Sequence, residues 1–296
     1  MTTPPEKPTA KDAPWTVGRV MAWTREEFQK RKLDSPRLDA EILLGQALGL
    51  TRVQLYMDWE KPLKPEELTA FKNMVRRRAA REPVSLIIGE REFYGRPFKV
   101  TRDTLTPRPD TETLVEDVVR RHRGREGLRI LDVGTGTGCI AITLALELPG
   151  STVTAVDISA GALEVARENS ARLGANVELL LSDMDGALAA AARFDVVVSN
   201  PPYLTEAEWK EAPPEVRDYE PRTALVGDDV DGLGHHRALA GKLWPRVLSG
   251  GGLWAELGWK QGPAAVTLWK DLAGAADVTL LQDLEKRDRV VRVTRS

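Results

Sequence analysis

The sequence predicts an α/β domain that is built on a mostly parallel, seven-stranded sheet and preceded by a smaller, all-helical domain. From Leu128 onward, short apolar segments typical of buried strands alternate with helical stretches. Residues 15 to about 82, by contrast, contain helical patterns and no convincing strand. The length of 296 residues, of which 42% are hydrophobic, is sufficient for one large domain or two smaller ones.

The composition argues against several classes of protein. The formal net charge is -2, whereas proteins that bind bulk DNA usually carry a basic surplus, so we expect no stable nucleic-acid binding. The single cysteine, Cys139, excludes an intramolecular disulfide and fits a reducing compartment. One cysteine and three histidines also argue against a zinc site, and we expect no metal. No apolar segment approaches the roughly 20 residues that span a bilayer, so we expect a cytoplasmic protein.

The N-terminal part is predicted to be a tail followed by helices. Residues 1–14 are rich in Pro, Thr and Lys and lack an apolar segment, which predicts a disordered tail rather than a signal peptide. The helical domain is predicted over residues 15–83, where Ser35-Pro36 and Pro65 are typical of helix starts and Gly49 of a helix end. The basic run Arg76–Arg78 either complements the helix dipole at a solvated C-terminus, the interpretation we favour, or contacts RNA or an acidic partner.

A β-hairpin is predicted to link the two domains over residues 84–105. Its strand-like segments, Ser85–Ile88 and Phe93–Val100, are separated by a charged turn. The remaining residues, 106–296, are predicted to form the α/β domain.

Seven strands are predicted within that domain. The last two are separated by a short charged turn that has no room for a crossover helix, so they are expected to pair in antiparallel fashion. The predicted strands are Arg129–Val133, Thr152–Val156, Val177–Leu181, Phe194–Ser199, Leu253–Leu257, Val278–Leu281 and Arg289–Val293.

A glycine-rich loop, Gly134-Thr135-Gly136-Thr137-Gly138, connects the first of these strands to a helix. Glycines let the backbone turn tightly and approach a ligand, and the helix start offers unpaired N–H groups. Asp157 ends the next strand, where a carboxylate can accept both hydroxyls of a ribose. The loop alone is compatible with NAD, FAD or S-adenosylmethionine. Its Gly-x-Gly-x-Gly spacing and the terminal hairpin favour S-adenosylmethionine.

A second polar segment, Ser182-Asp183-Met184, follows the third predicted strand. At this position Asp183 could hold an adenine ring and Met184 could pack against it. Alternatively, the segment caps the N-terminus of a helix, and the sequence does not decide between the two.

The segment Asn200-Pro201-Pro202-Tyr203 follows the fourth strand, at the edge where open α/β sheets bind ligands. Asn200 can accept one hydrogen of a planar NH2 group, and the carbonyl of Pro201 can accept the other. Tyr203 and Pro202 can hold the plane of that group. The segment therefore suits an amino or amide nitrogen that must act as a nucleophile. We predict Asn200, Pro201 and Tyr203 as catalytic residues, all four residues as substrate-binding, and Asn200 as a further cofactor contact.

The chain resembles the peptide chain release factor glutamine methyltransferases from about Asp34 to Val293. The Asn-Pro-Pro-Tyr motif alone is shared with enzymes that methylate amino groups of nucleic acids, but the combination of motifs is more specific. Besides the glycine loop, Asp157 and this motif, the matching segments include Gly89-x-x-Glu92-Phe93-Tyr94-Gly95, Thr106–Glu112, Tyr219-Glu220-Pro221, Asp231-Gly232-Leu233 and Glu256-Leu257-Gly258-x-x-Gln261. Met184 departs from the family, which often has an aromatic residue there.

The resemblance implies a Rossmann-like, S-adenosylmethionine-dependent methyltransferase domain and a helical domain that binds class-I peptide chain release factors. The implied substrate is the glutamine side chain of the Gly-Gly-Gln motif in those factors. We expect a monomer. The residues expected to bind the cofactor are Gly134, Thr135, Gly136, Thr137, Gly138, Asp157, Asp183, Met184 and Asn200.

Two other functions remain open on the sequence alone. The first is methylation of the exocyclic amino group of adenine or cytosine in nucleic acid, which requires base flipping on a duplex. The acidic balance of the chain argues against it. The second is a non-catalytic adaptor that binds a translation factor, and the intact glycine loop, Asp157 and Asn200 argue against that.

Overall fold

The computed structural model describes residues 14–227, 229–274 and 277–296. The chain divides between Ile88 and Gly89 into two compact units. The predicted disordered tail lies outside the described residues except for its last residue, Pro14. Within the described ranges, no helix is long and apolar enough to cross a membrane.

The first unit is helical, as the sequence predicts. Its core is formed by apolar side chains of these helices, among them Phe28, Leu43 and Phe71, which are at most 1% exposed. Helix ends follow the local sequence, since Pro36 occupies the first turn of the second helix and Gly49 ends it in the left-handed conformation, with φ of 64°. The helices are α1 (Val17–Lys30), α2 (Pro36–Leu48), α3 (Arg52–Met57), α4 (Pro65–Ala79) and α5 (Val84–Ile88).

The basic run at the end of α4 is not uniformly solvated. Arg76 and Arg77 are exposed, but Arg78 is only 5% exposed, and its Nε atom lies 2.7 Å from Oδ2 of Asp39 in α2. The interpretation of the whole run as a solvated helix end is therefore wrong for Arg78. This residue joins two helices of the core through a buried ion pair.

The predicted hairpin exists, but its first strand was placed wrongly. Residues 84–88 form helix α5, and the hairpin strands are β1 (Glu90–Phe93) and β2 (Arg96–Lys99), which pair in antiparallel fashion. A short apolar run does not distinguish a strand from a buried helix by its periodicity, and here the packing of Ile87 into the helical core decides. Phe93 and Phe98 of the hairpin pack into a core of the second unit.

The second unit contains the predicted seven-stranded sheet, in the order β5-β4-β3-β6-β7-β9-β8. Strands β3 to β7 are parallel, and β9 pairs in antiparallel fashion with both β7 and β8. The predicted fold class is therefore confirmed, including the terminal hairpin. The strands are β3 (Arg129–Val133), β4 (Thr152–Asp157), β5 (Val177–Leu181), β6 (Phe194–Ser199), β7 (Val247–Glu256), β8 (Asp277–Gln282) and β9 (Asp288–Thr294).

Helices cover both faces of this sheet, which explains why the central strands are apolar on both sides. In β6, Val196 and Val198 belong to one core, together with residues of α6 and α7. Val197 belongs to a second core, together with residues of α11 and α12. The helices are α6 (Glu112–His122), α7 (Cys139–Glu147), α8 (Ala160–Leu173), α9 (Glu206–Glu211), α10 (Pro214–Arg217), α11 (Gly234–Lys242) and α12 (Gly262–Ala273).

Gly138 fixes where α7 begins, and we expect its replacement to destabilise the fold. Its φ is 80°, and an added Cβ would lie 2.8 Å from Cδ1 of Ile142 and 3.2 Å from Cβ of Ala166. Gly150 is a matched control, because its φ is 83° and an added Cβ would lie more than 4 Å from every atom that the structure describes, apart from the neighbouring residues. Both alanine variants carry the strain of a left-handed backbone, about 1–2 kcal/mol. Gly138→Ala should lose a further ~1–3 kcal/mol of unfolding free energy through overpacking, measured by urea denaturation. Equal losses in the two variants would contradict the close packing of Gly138 against Ile142 and Ala166.

Candidate active site

The carboxyl ends of four neighbouring strands bring the predicted site residues together. Val133 of β3 pairs with Val156 of β4 on one side and with Ser199 of β6 on the other. Asp157 of β4 pairs in turn with Leu181 of β5. A cavity opens at this edge. Of the predicted site residues, those that line it are Gly134, Thr135, Gly136, Thr137, Asp157, Asp183, Met184, Asn200, Pro201 and Pro202.

The glycine loop presents bare backbone to this cavity. Gly134 and Gly136 have φ values of 73° and 56°, and a Cβ added to either would meet no atom of the described part of the chain within 4 Å. A side chain at these positions would therefore project into open space beside the cavity. Gly138 differs from them, because a Cβ there would meet Ile142 and Ala166, and Gly138 does not line the cavity. Its visible role is to begin α7.

Asp157 holds the loop and faces the cavity at the same time. The residue is 9% exposed, and its carboxylate accepts the N–H groups of Gly136, at 2.8 Å on Oδ2, and of Ser159, at 2.9 Å on Oδ1. Burial raises the pKa of Asp157, while these backbone N–H groups act in the opposite direction. Each carboxylate oxygen has a further lone pair, so Asp157 can still accept hydroxyl groups of a ligand.

A second carboxyl group, that of Asp132, lies behind the loop. Its Oδ2 atom accepts the hydroxyl of Thr135 at 2.7 Å and the N–H of Ala141 at 3.2 Å. Complete burial raises the pKa of Asp132 to about 7. Asp132 does not line the cavity, so it acts on the loop and on the start of α7 rather than directly on a ligand.

The segment after β5 forms a tight turn. The hydroxyl of Ser182 donates to the carbonyl of Met184 at 3.1 Å and accepts the N–H of Ala187 at 2.9 Å. No helix begins here, because residues 183–188 continue as turns, so the alternative of a helix cap is wrong. This turn leaves Asp183 and Met184 in the cavity wall.

The Asn200–Tyr203 segment is divided between the cavity and its surroundings. Asn200, Pro201 and Pro202 line the cavity, and Nδ2 of Asn200 donates to Oγ1 of Thr111 at 3.3 Å. Tyr203 does not line it. Its carbonyl instead accepts Nε2 of Gln261 at 2.9 Å, and burial raises the pKa of its hydroxyl. The structure therefore brings three residues of the segment to the cavity, whereas Tyr203 follows the last of them and does not contact the cavity.

Two polar pairs at the site join residues that the sequence did not bring together. Arg108 lines the cavity and forms an ion pair with the buried carboxylate of Glu220. Thr111 and Glu256 are 2% and 1% exposed, and the Thr111 hydroxyl donates to Oε2 of Glu256 at 2.6 Å. All four residues lie in segments that carry the family resemblance. The sequence left Arg108 open between a place at the cleft and a structural pair with an acid, and it did not identify the partner of any of the four. Burial raises the pKa of Glu256 to about 7.

The described ranges contain no group of three or more His, Cys, Asp or Glu side chains that could hold a metal ion.

Comparison with solved structures shows similarity in the fold. A methyltransferase from Pyrococcus furiosus is 16% identical and covers 76% of this chain and 100% of its own, with a TM-score of 0.50. The catalytic domain of hMettl16, solved with a MAT2A 3′UTR hairpin, is 19% identical and covers 76% of this chain and 82% of its own, with a TM-score of 0.55.

Comparison with family models and curated proteins is more specific. Residues 19–89 match the PrmC N-terminal domain, and residues 109–212 match the methyltransferase small domain. A protein of Rhodopirellula baltica named release factor glutamine methyltransferase is 40% identical over 97% of this chain and 99% of its own length. A protein of Chlorobaculum tepidum with the same name is 44% identical over 93% of this chain and 96% of its own. This chain therefore belongs to the release factor glutamine methyltransferase family.

Proposed function

We propose that this protein methylates the side-chain amide nitrogen of the glutamine in the Gly-Gly-Gln motif of class-I peptide chain release factors, with S-adenosylmethionine as the methyl donor. The observation that carries the proposal is a single cavity that joins an open glycine loop to the Asn200–Pro202 segment. The names of relatives at about 40% identity support glutamine as the target rather than nucleic acid. Because the proposed substrate is a translation factor, we propose the cytoplasm as the compartment of this protein.

The residues at the cavity fit S-adenosylmethionine. The open space beside Gly134 and Gly136 leaves room for a ligand against the backbone, and Asp157 retains lone pairs for ribose hydroxyls. Asp183 and Met184 would hold the adenine ring. When bound, S-adenosylmethionine supplies an electrophilic methyl group on a sulfonium centre.

The Asn200–Pro202 segment would activate the amide. An amide nitrogen is a poor nucleophile because its lone pair is delocalised into the carbonyl group. Oδ1 of Asn200 and the carbonyl of Pro201 would accept the two amide hydrogens and so return electron density to the nitrogen. Pro202 would hold the amide plane, and Tyr203 would support this segment from outside the cavity wall. Most of the rate would come from orientation and fixed dipoles, and the amide proton would leave to water.

The proposal is tested by methyl transfer from labelled S-adenosylmethionine to four substrates. These are an unmodified class-I release factor, the same factor with its Gly-Gly-Gln glutamine replaced, unmethylated DNA and unmethylated RNA. We expect label on the intact factor alone, located at that glutamine by peptide mass spectrometry. Label on nucleic acid, or on the factor that lacks the glutamine, would overturn the proposal.

Replacement of Asn200 should affect turnover much more than cofactor binding. We expect Asn200→Ala to lower kcat more than ~100-fold, which is the scale of one lost oriented contact to the reacting group. The Kd for S-adenosylmethionine should change much less. Asn176→Ala, at an exposed position, is the control and should leave kcat unchanged. Near-normal turnover by a folded Asn200→Ala protein would remove Asn200 from the mechanism.

Replacement of Asp157 should weaken the cofactor complex. Loss of charge-assisted hydrogen bonds to ribose costs about 1.5–3 kcal/mol, so Asp157→Ala should raise the Kd for S-adenosylmethionine roughly 10- to 100-fold in isothermal titration calorimetry. Asp271→Ala, at an exposed position of α12, is the control. If the two variants bind the cofactor equally well, Asp157 is not a ribose ligand.

A further inference from the structure

Three side chains from distant parts of the chain form a hydrogen-bonded row that reaches the cavity, in which Glu256 and Thr111 are buried and Asn200 is half-buried. Glu256 is the last residue of β7, Thr111 lies just before α6, and Asn200 follows β6. Oγ1 of Thr111 lies 2.6 Å from Oε2 of Glu256 and 3.3 Å from Nδ2 of Asn200. Thr111 and Asn200 both line the cavity, and of the three residues only Asn200 carries an amide.

The directions of these hydrogen bonds fix which way the Asn200 amide faces. A threonine hydroxyl has one hydrogen and can accept through its lone pairs. When Glu256 is ionised, Thr111 donates its hydrogen to it and can only accept from Asn200, so Asn200 must present its NH2 group. Oδ1 of Asn200 then points away from Thr111. A flipped amide would place an oxygen against the hydroxyl oxygen of Thr111, with no hydrogen between them.

Glu256 is itself held firmly in place. Its backbone pairs with Val290 of β9, and its carbonyl accepts Nε2 of His236 at 3.0 Å. His236 is fully buried and accepts Nε1 of Trp269 at 3.1 Å on Nδ1, which fixes the neutral form that carries its proton on Nε2. The backbone of Glu256, at one end of the hydrogen-bonded row, is therefore held in place by the core.

We propose that Thr111 and Glu256 are positioning residues, which hold the Asn200 amide with Oδ1 toward the glutamine substrate. This inference rests on the proposed function, because it assigns the orientation of the group that would accept an amide hydrogen. Neither residue needs to touch the substrate. Their effect passes through Asn200 and should disappear when Asn200 is absent.

The ionisation of Glu256 sets the conditions of the test. Burial raises its pKa to about 7, while Arg289 and Arg108 favour the charged form and Asp110 opposes it. An ionised carboxylate can only accept hydrogen bonds. Measurements at about pH 8.5 therefore keep Glu256 as the acceptor for Thr111.

The test is a double-mutant cycle on kcat, with Thr111→Val measured in the wild-type and Asn200→Ala backgrounds. Valine keeps the shape of threonine but removes the hydroxyl. Thr111→Ser keeps the hydroxyl and is the conservative variant. Thr143→Val is the matched control, because Thr143 is fully buried in α7 and its hydroxyl has no hydrogen-bond partner among the described residues.

In the wild-type background, we expect Thr111→Val to lower kcat about 10- to 100-fold, with the KM for the release factor and the cofactor Kd within about 3-fold. Thr111→Ser and Thr143→Val should stay within about 3-fold of wild-type kcat. In the Asn200→Ala background, Thr111→Val should change kcat by less than about 2-fold.

An equal fold-change in both backgrounds would overturn the inference, as would normal turnover by Thr111→Val. Should Thr111→Val fail to fold, Glu256→Gln gives the same cycle, because a glutamine can offer Thr111 an NH2 group in place of an acceptor. A smaller loss, about 3- to 10-fold, that vanishes without Asn200 is then expected, and a loss that persists without Asn200 overturns the inference. Wild-type transfer to the intact factor is measured alongside, so failure of the proposed function is distinguished from failure of the cycle.

Discussion

The register of the parallel strands at their carboxyl ends is the constraint on which the site depends. Val133 pairs with Val156 on one side and Ser199 on the other, so the chain leaves three neighbouring strands at the same level. The Ser199 hydroxyl donates to the carbonyl of Val133 at 2.8 Å and joins the ends of β3 and β6. A shift by one residue would reverse the side-chain faces of a strand that is buried on both sides. The glycine loop, Asp157 and Asn200 therefore meet because the core fixes the register.

Buried carboxyl groups stabilise the loops that this register brings together. Asp132 binds the hydroxyl of Thr135 and the N–H of Ala141, and Glu256 binds the hydroxyl of Thr111. Burial raises the pKa of both carboxyl groups to about 7. Near neutral pH, both the charged and the neutral form of each group are therefore populated. The hydrogen bonds to each group offset part of the free-energy cost of its burial. Both lie behind the cavity wall and act through the residues that they hold.

The sequence predicted those elements best whose bounds are set by residues close to them in the chain. The bounds of β3, β5 and β6 match the prediction, since each is a short run between clear turn signals. β7 begins at Val247 rather than at the predicted Leu253. The prediction was too short because Gly250, Gly251 and Gly252 suggest a loop but lie inside the strand. Helix α5 was mistaken for a strand, since its structure depends on the packing of Ile87 against residues that are distant in the sequence. Thr111 and Glu256 gained no role for the same reason: they are 145 positions apart, and only the folded chain joins them.

The proposed mechanism is tested most directly by a crystal structure of this protein with S-adenosylhomocysteine and a release factor that carries an unmodified Gly-Gly-Gln motif. We expect the product cofactor against the glycine loop and Asp157. We also expect the glutamine amide nitrogen within about 2.7–3.2 Å of both Oδ1 of Asn200 and the carbonyl of Pro201. A glutamine bound outside this cavity, or an Asn200 amide that presents its nitrogen to the substrate, would contradict the proposed mechanism.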